Sequence, residues 1–312
     1  MRIVEVQARE ALAPSLLAGY DWALNPYRGC AFDCLYCYAP DVVRVERETW
    51  AETVFVKRAA PALLARELKR KRRGVIGIST VTDPYQPVEK ALEVTRRCLE
   101  VIARAGWPVS VLTKSPLVTR DLDVLATIPE AEVGFSIATG SEAERKLWEP
   151  SCPPVGARFR ALQEVTQAGV RAYVFAGPIF PESTPGALSE LARLAASAGA
   201  AEVMADSLHT RAGKLSALID RTCPIAPAQR AQKTDELLRA LEAACASFGV
   251  PFSLAANWKP RPSDCRGGRN HLVAARAAEE DPPILKEPRE VARLPAPLAH
   301  TLAADTRLEE FD

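Results

Sequence analysis

Histidine is scarce: the chain has 3 in 312 residues, and the first is His209. A metal centre earlier in the chain must therefore draw on other ligands. Net charge is also nearly absent, since 40 Lys and Arg against 39 Asp and Glu leave +1. That balance argues against a surface that is a phosphate-binding field throughout, though not against a local one. The start, from Met1 to Glu10, carries charges where a leader would need an apolar run, and no apolar span reaches membrane length. These absences predict a cytoplasmic protein with no membrane partner.

Cysteine, by contrast, is concentrated. Three of the 8 cysteines, Cys30, Cys34 and Cys37, fall within Gly29-Cys30-Ala31-Phe32-Asp33-Cys34-Leu35-Tyr36-Cys37-Tyr38, a spacing whose chance expectation is roughly 0.005. Cys98, Cys152, Cys223, Cys245 and Cys265 show no ligand spacing and read as core fillers in a reducing compartment. Three readings compete for the triplet. Zinc normally closes with four Cys or His ligands, and no histidine lies near. A disulfide leaves one thiol over. An iron–sulfur cluster on three cysteines keeps one iron open for a small molecule.

Beyond the loop, short β-branched runs alternate with amphipathic helices. Val75–Thr80, Val109–Thr113, Glu132–Ala138, Val170–Phe175 and Ala201–Ala205 read as strands. Helices are expected from Pro61, over Ala91–Ile102, Asp121–Ile128, Arg158–Ala168, Ala187–Ala198 and Ala231–Phe248. Such repetition specifies a parallel sheet with right-handed crossovers, either open or wound into a barrel, with ligands at the carboxyl ends of its strands. The division expected is an N-terminal arm (1–22), a catalytic unit (23–255) and a C-terminal extension (256–312) whose proline-rich stretch from Asp281 gives no clear fold signal. The run Lys69-Arg70-Lys71-Arg72-Arg73, with Arg66, could touch phosphates; its plainer reading is a solvated helix end.

Cys30-x-x-x-Cys34-x-Tyr36-Cys37 resembles the signature of the radical S-adenosylmethionine (SAM) superfamily. Asn25-Pro26-Tyr27-Arg28-Gly29 leading in and Tyr38-Ala39-Pro40 leading out are similar to the branch related to spore photoproduct lyase, often labelled DNA-repair-photolyase-like. The resemblance runs over roughly residues 25–180. It implies an α/β fold, a partial (β/α)6 barrel of the radical SAM type with short N- and C-terminal extensions. It also implies a [4Fe-4S] cluster on Cys30, Cys34 and Cys37, SAM as second cofactor, a 5′-deoxyadenosyl radical, and a reductant such as flavodoxin or ferredoxin.

Site residues follow from the same resemblance. Tyr36 is expected to flank the adenine, Asp83 or nearby carbonyls to meet the SAM amino group, and Lys114 with Ser136 to meet its carboxylate. Gly177 would let the backbone approach the adenosyl moiety, while Glu149 and Arg158 lean to a structural pairing. Photoproduct lyases use a cysteine near the end of the second strand as hydrogen-atom donor. Thr80 stands there, so Tyr85 or Cys265 is the substitute donor expected. Three functions stay open: radical chemistry on a nucleic-acid lesion, with Tyr27, Tyr85 or Trp258 stacking on the flipped base; the same chemistry on a peptide, nucleotide or small metabolite; or a non-catalytic iron–sulfur or zinc protein.

Overall fold

A strand of three to six apolar, β-branched residues buries both faces only when helices cover a parallel sheet, and this sequence supplies those helices. The computed structural model describes residues 1–15, 17, 19–208, 214–255 and 289–293. In chain order the strands are β1 (Arg2–Glu5), β2 (Leu12–Pro14), β3 (Trp22–Leu24), β4 (Tyr27–Arg28), β5 (Thr53–Val56), β6 (Ile76–Ile78), β7 (Val109–Thr113), β8 (Ala131–Ser136), β9 (Arg171–Ile179), β10 (Val203–Ser207), β11 (Phe252–Leu254) and β12 (Arg289–Arg293). The larger sheet runs β11-β10-β9-β8-β7-β6-β3-β2. Every neighbouring pair from β3 to β11 is parallel, and β2 is added antiparallel to β3. Among the described residues the end strands β2 and β11 share no ladder, and the parallel unit is an incomplete barrel.

The helix Val94–Ala105 shows how the sequence builds each crossover. Val94, Cys98, Leu99, Val101 and Ile102 recur at helical spacing and are buried against the sheet. Full burial of Leu99 and Ile102 contributes about 2 kcal/mol each. Gly106 ends the helix at φ +67°, accepting a left-handed cap without a side-chain penalty. The strands leave space that aromatic rings fill from within. A Cβ on Gly77 would lie 2.5 Å from the Tyr20 ring, and one on Gly134 would lie 2.3 Å from that of Tyr173.

A second sheet, β12-β1-β5-β4, carries the approach to the cysteine loop. Two elements of it were not foreseen. Residues 1–22 contribute β1, parallel to β5, besides β2 on the larger sheet. Part of the proline-rich tail forms β12, antiparallel to β1, because Arg289–Arg293 offers five residues free of proline. The helices Glu142–Trp148 and Lys214–Thr222 and the seventh parallel strand β11 are also additions. The helix expected over Asp121–Ile128 is only Leu122–Leu125, preceded by a 3-10 turn. Among the described residues no helix is long and apolar enough to cross a membrane.

Candidate functional site

The cysteine loop is positioned by the two sheets together. Where β3 ends, Asn25 donates to Thr80 Oγ1 (3.2 Å) and accepts from the Thr80 amide (3.0 Å), tying the carboxyl ends of β3 and β6. The chain then crosses to β4 on the smaller sheet and turns at Gly29, φ +87°. A Cβ there would meet the Thr53 carbonyl oxygen at 2.4 Å, so only glycine fits. Gln86 grips the next residues: its Nε2 donates to the Gly29 carbonyl (3.0 Å) and its Oε1 accepts from the Ala31 amide (3.0 Å). The Arg47 guanidinium donates to the carbonyls of Leu35 and Cys37. Neither Gln86 nor Arg47 carried a sequence signal, because each acts through backbone atoms of a distant loop.

Cys30 and Cys34 are buried and Cys37 is half-buried, all packed in one group with Phe32, Trp50 and Val81. Burial, then the Asp83 charge and Cys34, push the Cys30 thiol well up; burial and Cys34 push Cys37 up to about 12. Thiols so placed stay protonated until a metal replaces the protons. Among the described residues the three share a loop but do not close around a single ion-sized point. Three soft donors that sense one another on a rigid loop are the donor set an iron–sulfur cluster requires. Cys30, Cys34 and Cys37 therefore fit a cluster with one iron left without a protein ligand.

Around the loop, strand ends bring charged groups together. Glu149 is almost fully buried and paired on both oxygens, with Lys114 Nζ at 3.3 Å and Arg158 Nη2 at 2.6 Å, while Tyr36 donates its hydroxyl to the same carboxylate. Burial works to raise the Glu149 carboxyl, but Arg158 and Lys114 outweigh it and hold it at about 2. Lys114 also donates to Ser136 Oγ (2.5 Å) and lies 5.6 Å from the Tyr36 ring centroid. Burial pulls its pKa down; Glu149 together with the neighbouring Cys34 and Cys152 more than reverses this. Arg158 further donates to the carbonyls of Ser136 (2.9 Å) and Pro153 (3.0 Å). The expected Glu149–Arg158 pairing is thus present, and it reaches Lys114, Ser136 and Tyr36, which the structure brings together.

Other expected residues sit differently. Asp83 spends its carboxylate on its own chain, accepting from Tyr85 N (2.9 Å), Thr113 Oγ1 (2.7 Å) and Lys114 N (2.8 Å). It fixes the loop after β6 against the end of β7. A side chain at Gly177 would come within 2.4 Å of the Phe175 ring, which gives that glycine a packing reason within the chain itself. Tyr85 is corrected as a hydrogen-atom donor: it is fully buried, with its hydroxyl donated to Asp121 Oδ2 at 2.9 Å. Tyr27 is equally buried, its hydroxyl on Glu89, and neither ring can receive a base. Cys265 and Trp258 lie outside the described residues.

Two further readings change. Three of the five cations of the basic run are bonded at the amino ends of the strands, opposite the cysteine loop, while Lys69, Arg70 and the neighbouring Arg66 stand exposed. Lys71 pairs with Glu67 and Glu10 (3.3 Å each) and covers the Trp22 ring, Arg72 pairs with Asp21 (3.2 Å), and Arg73 donates to the Gly106 carbonyl (2.8 Å). Cys152 is no ordinary filler, since its Sγ lies 3.6 Å from Cys34 Sγ.

Residues 24–195 match the model of the radical SAM superfamily. The chain belongs to the radical SAM superfamily. That membership implies a [4Fe-4S] cluster, SAM and a source of electrons, and an enzyme of the radical SAM type. An uncharacterized protein of Methanocaldococcus jannaschii is 33% identical over 184 residues, 58% of this chain and 69% of that one. An uncharacterized protein of Mycobacterium tuberculosis is 32% identical over 203 residues, 62% of this chain and 60% of that one, so the match spans about three-fifths of the mycobacterial relative. Among solved structures, a spore photoproduct lyase variant with bound AdoMet and dinucleoside spore photoproduct superimposes with TM-score 0.63 at 15% identity over 81% of both chains. The incomplete barrel is the fold of that enzyme.

Proposed function

We propose that the chain cleaves SAM reductively at a [4Fe-4S] cluster held by Cys30, Cys34 and Cys37 and abstracts hydrogen from a base of a nucleic-acid lesion. The observation that carries the reading is the juxtaposition of a three-thiol loop with the buried Lys114–Glu149–Arg158 group at the same strand ends. When bound, the cluster and SAM supply a 5′-deoxyadenosyl radical; the protein supplies position and dryness. Two cations sharing one carboxylate have attraction to spare, and Lys114, 12% exposed, turns it toward an incoming SAM carboxylate. Ser136 steadies the ammonium, and Tyr36 presents its ring beside the loop for the adenine. Flavodoxin or ferredoxin fits as electron donor.

The nucleic-acid substrate rests on likeness to a lyase whose structure holds a dinucleoside spore photoproduct. A peptide, nucleotide or small metabolite is the second reading, favoured by the bonding of Lys71, Arg72 and Arg73 within the chain. The test is anaerobic reconstitution with iron and sulfide, dithionite reduction with SAM, and chromatography for 5′-deoxyadenosine, alone and with ultraviolet-damaged DNA. Wild type is expected to form it, while Cys30→Ala, Cys34→Ala and Cys37→Ala are not. Full iron occupancy in Cys34→Ala would sink the cluster assignment, and no stimulation or turnover of damaged DNA would move the substrate to the second reading.

A further inference from the structure

We propose that Cys34 and Cys152 are a modification site: in the cluster-free protein they close a disulfide that takes Cys34 out of the metal-binding set. The link itself rests on geometry alone; only its consequence for iron rests on the reading of Cys34 as a cluster ligand.

The two thiols are 118 residues apart in sequence and their sulfurs are 3.6 Å apart, which is van der Waals contact. A disulfide is about 2.05 Å long, so the sulfurs must approach by about 1.5 Å, a distance on the scale of a side-chain rotation. The backbones on both sides are held for that closure. Leu35 N donates to the Trp148 carbonyl (3.0 Å), tying the cysteine loop to the segment that carries Cys152. Arg145 Nη1 donates to the carbonyls of Glu149 (2.7 Å) and Cys152 (3.0 Å), and Cys152 N donates to the Glu149 carbonyl (3.1 Å). Two pinned segments joined by a cross-chain bond keep the sulfurs in contact. Around them lie Phe32, Trp50 and Val81, and with exposures of 8% and 6% the closed bond would be shielded from bulky reductants.

The chemistry balances with a low-molecular-weight disulfide as oxidant. One protein thiol attacks the reagent's S–S bond and forms a mixed disulfide, releasing one small thiol. The second protein thiol then attacks the protein-side sulfur and releases the other. Two electrons pass to the reagent, and the two cysteine protons leave with the two small thiols. A dithiol reverses the sequence.

Full-length cluster-free protein is treated with dithiodipyridine, digested with trypsin without reductant, and analysed by mass spectrometry. Cleavage after Arg28 and Arg44, and after Lys146 and Arg158, separates the two cysteines into peptides 29–44 and 147–158. The expected result is that 147–158 is recovered mainly joined to 29–44 through Cys34, that dithiothreitol separates them, and that Cys152→Ser and Cys34→Ser each abolish the joined pair with unchanged far-ultraviolet circular dichroism. Recovery of Cys152 as a free thiol or pyridyl mixed disulfide, or 29–44 closed only on itself, overturns the proposal. Cluster-loaded protein given the same treatment is expected to show no joined pair. If the pair forms equally in protein with full iron and sulfide, Cys34 is not a cluster ligand and the functional reading falls while the disulfide stands. If 5′-deoxyadenosine forms but no link appears in cluster-free protein, the reverse holds.

Discussion

Among the described residues, two buried ionic groups are built to different rules. In one, the fully buried Glu89 and Asp121 are matched by Arg120 and Arg96: Arg120 reaches Glu89 at 2.9 Å and Asp121 at 2.7 Å, and Arg96 reaches Asp121 at 2.9 Å. Glu89 also accepts the Tyr27 hydroxyl and the amides of Thr95 and Arg96, and Asp121 accepts the Tyr85 hydroxyl. Two buried carboxylates meet two guanidiniums, which also reach the more exposed carboxylates of Asp123 (2.7 Å), Glu100 (3.5 Å) and Glu93 (3.9 Å), and neutral donors bind the same two buried carboxylates. In the other, Glu149 alone is shared by Lys114 and Arg158, and the nearby Asp83 spends its oxygens on neutral donors. The first group locks the turns after β6 and β7. The second sets two cations on one carboxylate beside three thiols, the charge excess that the proposed SAM carboxylate would use.

The largest effect is expected where the balanced group is broken. Glu89→Ala leaves the buried Tyr27 hydroxyl and the Thr95 and Arg96 amides without their acceptor and Arg120 with Asp121 as its buried partner, and should cost about 3–5 kcal/mol in chemical denaturation. SAM cleavage per folded, cluster-loaded molecule should be unchanged. The second group is next, and acid tests it. Glu149 is depressed from its ordinary 4.5 to about 2 in the folded chain, so its contribution is whole above pH 4.5 and is lost as pH falls toward 2. That loss amounts to about 3 kcal/mol. Glu149→Gln should flatten acid unfolding across that window; an unaltered acid limb would show that the pairing contributes nothing.

A smaller effect separates binding from folding. Lys114→Met leaves Glu149 matched by Arg158 alone, so the fold should hold while SAM dissociation from the cluster-loaded protein weakens tenfold to a hundredfold, about 1.4–2.8 kcal/mol. Equal losses in stability and affinity would erase the distinction between the two groups. Smallest of all, Tyr85→Phe removes one hydroxyl from Asp121 and should cost about 1 kcal/mol. Deuterium transfer into product should be untouched, as a tyrosine locked in the balanced group takes no part in the radical step.

The sequence pattern made the metal loop and the crossovers readable because both are local: three thiols within one turn of chain, and apolar residues at periods of 3.6 or two. Lys114, Ser136 and Tyr36 were found through their likeness to a known motif, and they do meet. Residues that act across long separations left no mark. Gln86 holds Gly29, Cys152 reaches Cys34, and β12 returns to β1, all through contacts that no window of sequence contains. Tyr85 misled for the opposite reason: a polar aromatic just past a strand end has the composition of a site residue, and only its bond to Asp121 shows that it faces the core.

In the smaller sheet, the strand leading to the cysteine loop lies at one edge and β12 at the other, with β1 and β5 between. During synthesis three of these strands leave the ribosome early, whereas the fourth emerges only after the whole parallel unit. Until then β1 carries a bare hydrogen-bonding edge, and the platform under the loop is one strand short. The timetable of translation thus separates the birth of the cysteine loop from the completion of the surface that supports it.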